Sequence, residues 1–203
     1  MILDVLGSRP KLRLLRYLST HEGLHTGRAL ARAAGVESKR AAEALVDLVG
    51  AGLVDRSRAG RAFLYSINRN NYAVGEILLP AFTNERDWLE RLGDEIRRSV
   101  PGIVSVILYG SWSTGKAQPQ SDVDLLLVTS PKVSKDRALQ LQERADDIRA
   151  RMSERYGRPI SLLIVGPDDL RRRLRKRDRF IREILAGGRA LAGSSLAEVV
   201  GRG

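Results

Sequence analysis

Apolar positions near the start of the chain follow a helical period. In residues 8–20, Leu12, Leu15 and Leu18 recur at about one turn. Ser8 supplies a capping oxygen, and Pro10 falls in the first turn, where a missing N–H breaks no bond. A second short helix is predicted from Thr26 through Ala34, closed by Gly35. A third begins at Ser38, with Ala42, Leu45, Val46 and Val49 as its expected core stripe and Lys39, Arg40 and Glu43 opposite. The pattern then changes to strands at 53–57 and 62–67, with a turn at 58–61.

Residues 69–99 are helical in pattern but interrupted at Pro80, and read as a connecting arm whose Trp88, Leu89 and Leu92 form an apolar face, with Trp88 as a packing residue. From Ile103 onward, buried-type strands alternate with helices. The helix at 135–156 is expected to bury Leu139, Ala145, Ile148 and Met152 and to leave Glu143, Asp146 and Asp147 in solvent. Asp168 and Asp169 are expected to cap a helix starting near Leu170, and residues 187–203, small and Gly-rich, to form a loosely held tail. The class is α+β in two domains.

Composition narrows the field. With 43% hydrophobic residues in 203, the chain has material for packed cores, and its longest apolar runs, about eight residues, fall far short of a bilayer span. No membrane partner is expected. The absence of cysteine excludes a disulfide framework and a zinc ribbon, and the first seven residues lack a leader pattern, so a cytoplasmic protein is expected. His21 and His25 lie in a loop with too few further ligands for zinc. The net charge of +11 makes a polyanion the default partner, and the first 72 residues, with 12 basic and 6 acidic side chains, are denser in positive charge than the rest. Residues 171–182 hold eight basic side chains, suited to a polyanion or to solvent.

The segment IVSVILYGSWSTGKAQPQSDVDLLLV, residues 103–128, carries the chemistry. A strand runs into Gly110 and Ser111, and a second strand carries Asp122 and Asp124, whose spacing of two puts both carboxylates on one face. Two acids beside Val123, Leu125, Leu126 and Leu127 are costly unless a hard cation such as Mg²⁺ takes them. Gly110 allows close approach of a phosphate, and the Ser111 hydroxyl and the following amides supply donors. Metal and phosphate together define a phosphoryl-transfer site. Tyr109 is expected at its entrance.

The phrase RALARAAGVESKRAAEALVDLVGAGLV resembles a winged helix-turn-helix domain over residues 1–70. The likeness implies that the helix starting at Ser38 enters a major groove of DNA with Lys39 and Arg40, while Arg58 and Arg61 at the hairpin tip touch phosphates. Gly110, Ser111, Asp122 and Asp124 resemble the signature of the DNA polymerase β-like nucleotidyltransferase superfamily, closest in size to its minimal members, over residues 101–192. That leaves 71–100 as the arm and 193–203 as the tail. This likeness implies a mixed sheet flanked by helices and an NTP and Mg²⁺ site, with Ser111 on the phosphates, Asp122 and Asp124 on the metals, and Ser121 supporting the loop. The superfamily's third carboxylate aligns with Ser161, a neutral hydroxyl that neither neutralises a second metal nor serves as a base near pH 7. Two functions follow: transfer of a nucleoside monophosphate to a hydroxyl acceptor, or a DNA-binding regulator or antitoxin whose impaired domain senses nucleotide or contacts a toxin-like protein. A homodimer suits paired DNA half-sites.

Overall fold

The first four amides of a helix lack backbone partners, and in this chain side chains supply them. In the computed structural model, which describes residues 6–118, 120–131 and 135–201 (for 135–140 the backbone alone), Ser8 Oγ accepts from Lys11 N at 3.4 Å to open α1, Arg9–Thr20. Thr26 Oγ1 accepts from Ala29 N at 3.3 Å to open α2, Gly27–Ala33. Glu37 caps α3, Ser38–Gly50: its carboxylate accepts from Lys39 N at 2.9 Å and Arg40 N at 3.1 Å, and these bonds hold its pKa below the usual glutamate value. The chain divides into two units, Met1–Arg86 and Asp87–Gly203.

In the first unit, Leu14, Leu15, Leu18 and Leu30 pack against α3. The face that α3 buries is Ala41, Ala44, Leu45 and Leu48, which corrects the expected stripe: Ala42 is exposed, Val49 is half-buried, and Val46 is 64% exposed. Seven of the thirteen residues of α3 are Ala, Val or Leu, so helical period alone fits more than one stripe, and packing against the leucines of α1 and α2 selects among them.

Strands β2, Val54–Ala59, and β3, Ala62–Ile67, form a hairpin. The pair Ala59↔Ala62 closes a two-residue turn in which Gly60 takes φ +59°, a conformation that side chains resist. The turn is therefore tighter than the expected 58–61: Arg61 sits in it, whereas Arg58 stands in β2 opposite Phe63. A two-residue strand, β1, His25–Thr26, pairs with β3 and completes a sheet ordered β1-β3-β2. Three helices and this hairpin make a winged helix-turn-helix. Ahead of Pro80 the chain forms a wide π turn, Val74–Leu78, which leads without a break into α4, Leu79–Ser99. The turn lies where the proline ring would otherwise meet the carbonyl one turn back.

The second unit is built on a mixed sheet ordered β6-β5-β4-β7. Strand β4, Ile103–Tyr109, is antiparallel to β5, Val123–Thr129, and to β7, Arg189–Gly193, while β6, Ile160–Val165, runs parallel to β5. Alternation along the strands divides the core in two. Val106, Leu108, Val123, Leu125 and Leu127 face α4 and α6, Lys135–Tyr156, where Leu141, Ala145, Ile148 and Met152 are buried; the side chain of Leu139, also expected there, lies outside the described residues. Ile107, Leu126, Val128 and Val165 face α7, Pro167–Arg175, and α8, Arg179–Gly187.

Two expectations change here. Asp168 and Asp169 do not cap: Gly166 precedes Pro167 at the start of α7, and the two acids sit in its first turn, bonded to Arg171, Arg172 and Arg173. The glycine-rich end is not loosely held over residues 189–201. β7 completes the sheet, Ser105 Oγ donates to Ser194 O, and α9, Leu196–Gly201, buries Leu196. Small residues suit that edge because α4 lies against it: a Cβ at Gly93 would overlap Leu191 Cβ.

This contact reverses the ordinary effect of a helical glycine. Gly93→Ala, which would normally gain about 1 kcal/mol of helix propensity, is expected to lose roughly 1–3 kcal/mol by overpacking. The melting temperature should fall by about 2–10 °C in a thermal scan.

Candidate functional site

The site is set by strand register. Tyr109 pairs with Asp124 across β4 and β5, and Asp124 pairs with Ser161 across β5 and β6. Asp124 has the parity of Leu126 and Val128, so it projects on the α7 and α8 side of the sheet, as do Tyr109 and Ser161. Asp122, two residues earlier and exposed, lies just ahead of β5, not in it as the spacing led one to expect, and its charge reaches Asp124. Among the described residues, neither carboxylate has a hydrogen-bond or ion-pair partner.

Gly110 ends β4 with φ +72°, and a Cβ there would overlap Asp124 Oδ2 and lie 3.3 Å from its Cγ. The glycine therefore meets two demands, a left-handed backbone and room for the carboxylate. Burial, and then the charge of Asp122, push the Asp124 carboxyl above the usual aspartate range. Burial, and then Asp124, likewise raise the Tyr109 phenol, which stays protonated at neutral pH.

A single turn, α5, Gly110–Ser113, follows. The Ser111 carbonyl accepts from Lys116 N at 2.9 Å and Thr114 Oγ1 at 3.2 Å, while its hydroxyl has no partner among the described residues. Ser121 holds the loop: its Oγ accepts from Gln118 N at 2.9 Å, and its carbonyl accepts from Trp112 Nε1 at 3.2 Å. Trp112 meets Trp88 edge-on, with ring centroids 5.3 Å apart, and the Arg158 guanidinium lies 5.0 Å from the Trp112 ring. Trp88 is legible as a packing residue and Ser121 as a support of the loop, but the meeting of Trp88, Trp112 and Arg158 carries no local signal, because these residues are dispersed along the chain and share no period.

Beside the turn opens a cleft of ≈ 550 Å³ lined by Tyr109, Gly110, Ser113, Thr114, Phe180 and Glu183. Phe180 is 40% exposed and meets the Tyr109 ring edge-on at 5.5 Å. The size, the aromatic wall and the hydroxyls suit a small organic ligand. The acid pair fits a single hard cation that takes its remaining ligands from water and phosphate. Among the described residues, no group of three or more His, Cys, Asp or Glu is gathered to hold a metal.

In the first unit the named residues separate. Lys39 lies on the outer face of α3, and Ser38 and Arg61 line a cleft of ≈ 570 Å³ between α3 and the hairpin. Arg40 lies to the other side, where it lines a smaller cleft with Arg9 and Arg13. Arg58 folds over the turn, with Nε donating to Gly60 O at 3.2 Å. The acid Asp47 is matched by Lys11 Nζ at 2.7 Å. Among the described residues, no helix is long and apolar enough to cross a membrane.

The chain is similar to several known proteins. Residues 89–189 match the family model of the nucleotidyltransferase domain. Over 83 residues, 40% of its length, the chain is 37% identical to a Methanocaldococcus jannaschii protein that bears the name of a protein adenylyltransferase, and it spans about half (49%) of that relative. Among solved structures, a homodimeric winged helix-turn-helix DNA-binding domain from Mycobacterium bovis is similar at 26% identity, over 41% of this chain and 76% of that one, with a TM-score of 0.35. A toxin–antitoxin structure with AMP-PNP is similar at 14% identity, over 59% and 82%, with a TM-score of 0.36.

Two outcomes test the site's construction. Gly110→Ala should displace the Asp124 carboxylate and lower the melting temperature, whereas Gly115→Ala, also at a left-handed position but with open space around it, should cost less. Because the folded Asp124 holds its proton to higher pH than the unfolded chain does, stability falls as pH rises through the window from the ordinary to the raised pKa. Asp124→Asn should therefore melt above the parent at pH 7, and this advantage should shrink as the pH is lowered through that window.

Proposed function

We propose that the second unit binds a nucleoside triphosphate with Mg²⁺ and transfers a nucleoside monophosphate to a hydroxyl acceptor, with pyrophosphate as the leaving group, and that the first unit binds DNA. The observation that carries the nucleotide reading is the unpartnered Asp124 carboxylate against Gly110, with the charge of Asp122 acting on it, on the same side of the sheet as the aromatic-walled cleft. Asp122 and Asp124 would hold the metal, which when bound supplies positive charge to the triphosphate. The Ser111 hydroxyl and the open backbone at Gly110 receive the phosphates, Ser121 keeps the loop in place, and Tyr109 and Phe180 border the base. The family match to a nucleotidyltransferase domain supports this reading.

One observation favours a second reading. Ser161 stands beside Asp124 on the neighbouring strand, at the place where a third acid would complete the set. A site with two carboxylates retains charge for one metal and lacks a base for the acceptor. On this reading the domain is a nucleotide sensor in a cytoplasmic regulator or antitoxin, with a toxin-like protein partner and homodimeric DNA binding.

Calorimetric titration of each NTP with and without Mg²⁺, followed by a radiolabel-transfer assay, separates the two. Metal-dependent binding with transfer supports the enzyme, and binding without transfer supports the sensor. Asp122→Asn with Asp124→Asn should abolish the Mg²⁺-dependent binding, and unchanged binding would refute the site. Ser161→Asp should raise transfer on the order of tenfold or more.

The DNA reading is supported by the winged-helix fold and by the side chains of Ser38, Lys39, Arg40, Arg58 and Arg61 on its exposed surfaces. Replacing Arg61 with Ala should reduce the slope of log K against log salt by about 0.9 for one lost phosphate contact, measured by fluorescence anisotropy over a salt series.

A further inference from the structure

The outer face of α3 combines groups that a solvated helix does not need. At about 100° per residue, Val46 lies within roughly 20° of Lys39 around the helix axis, with Glu43 to one side and Ala42 to the other. All four are exposed, and Val46 is 64% exposed. This line is opposite the buried face of Ala41, Ala44, Leu45 and Leu48. It continues into the cleft between α3 and the hairpin, where Ala42 and the 47%-exposed Phe63 add apolar surface and Arg28 and Arg61 add charge. Arg56 stacks its guanidinium 4.7 Å from the Phe63 ring. The acid nearest this line after Glu43 is Asp47, which Lys11 neutralises.

The occupant must be a polyanion that also offers small apolar groups, because arginines flank an apolar strip. The base edges of the DNA major groove offer one such group, the C5-methyl of thymine. We infer that the outer face of α3 reads thymine methyl groups through Val46 and Ala42, with Lys39 directed to guanine acceptors and Glu43 to a cytosine amino group. The inference rests on the DNA reading above and adds to it the chemical class of the sequence recognised. Arg40, a quarter turn or more away beside Arg9 and Arg13, serves the phosphate backbone.

The test uses the full chain. Duplexes selected from a random library are resynthesised with deoxyuridine in place of thymidine, which deletes the methyl groups and keeps the pairing. Fluorescence anisotropy then compares both forms for the parent and for Val46→Ala, a substitution at an exposed position that leaves the core intact. The parent is expected to lose about threefold to fivefold in affinity for each contacted methyl, and Val46→Ala should bind the two forms with a smaller difference than the parent does. Equal affinity of the parent for both forms, or losses that simply add, would overturn the inference while leaving DNA binding in place. If no duplex is retained by the chain at any salt concentration, the DNA reading falls and the inference falls with it. Capture of an acidic protein on the α3 face, lost on Val46→Ala while DNA is ignored, would reassign the strip to a protein partner.

Discussion

The register between β4 and β5 places the carboxylate of Asp124 against the backbone of Gly110, and the geometry of the candidate site depends on that contact. A side chain at 110 would occupy the carboxylate's space and oppose the left-handed backbone that turns the chain from β4 into α5. The same register brings Tyr109 alongside Asp124, and the parallel pairing with β6 brings Ser161 to its other side. Shifting β5 by one residue would turn both acids toward α4 and α6 and bury them among apolar side chains. The alternation of Val123, Leu125 and Leu127 with Leu126 and Val128 resists that slip less by pattern than by length, since both faces are apolar; the acids at the start of the run mark which residues stay outside the core.

Two helix layers therefore have different tasks. The α4 and α6 side closes the larger core and supports the loop from behind through Trp88, Trp112 and Arg158. The α7 and α8 side covers Ile107, Leu126 and Val128 but ends at Phe180, beyond which the acid pair and the cleft are open. The arginine-rich run over these helices is partly consumed locally: Arg171, Arg172, Arg173 and Arg179 pair with acids three or four residues away, which are weak surface pairs rather than a continuous cationic track.

In the first unit the deciding feature is which stripe of α3 is buried. Leucines from α1 and α2 take Ala41, Ala44, Leu45 and Leu48, and so leave Val46 and Ala42 beside Lys39 on the outside. The hairpin, closed tightly by Gly60, lifts Arg61 to its tip and keeps Arg58 in the strand. The short β1 strand holds the hairpin to the helices through its pairing with β3.

Much of this was legible from local signals. Ser8 and Thr26 as caps, the hairpin around Gly60, and the strand, glycine and paired aspartates of residues 103–128 are dictated by neighbours a few positions apart, where propensity and period act directly. The place of Ser161 was also readable, because the superfamily resemblance aligned it with a later-strand position, and β5–β6 pairing sets it beside Asp124. Other features depend on contacts between distant segments. Periodicity allowed Val46 in the core of α3, but the leucines of α1 and α2 exclude it. The final residues read as a small, Gly-rich tail, yet β4 had an unpaired edge that β7 fills, where α4 leaves room for little more than Leu191 and Ala192. Asp168 and Asp169 had the composition of caps, but the helix begins at Pro167, three residues before Leu170, which puts both acids in its first turn beside arginines. Local chemistry specifies the elements and the reactive groups, while the choice of buried face and sheet edge is a competition among distant surfaces for the same apolar area, which chain order does not rank.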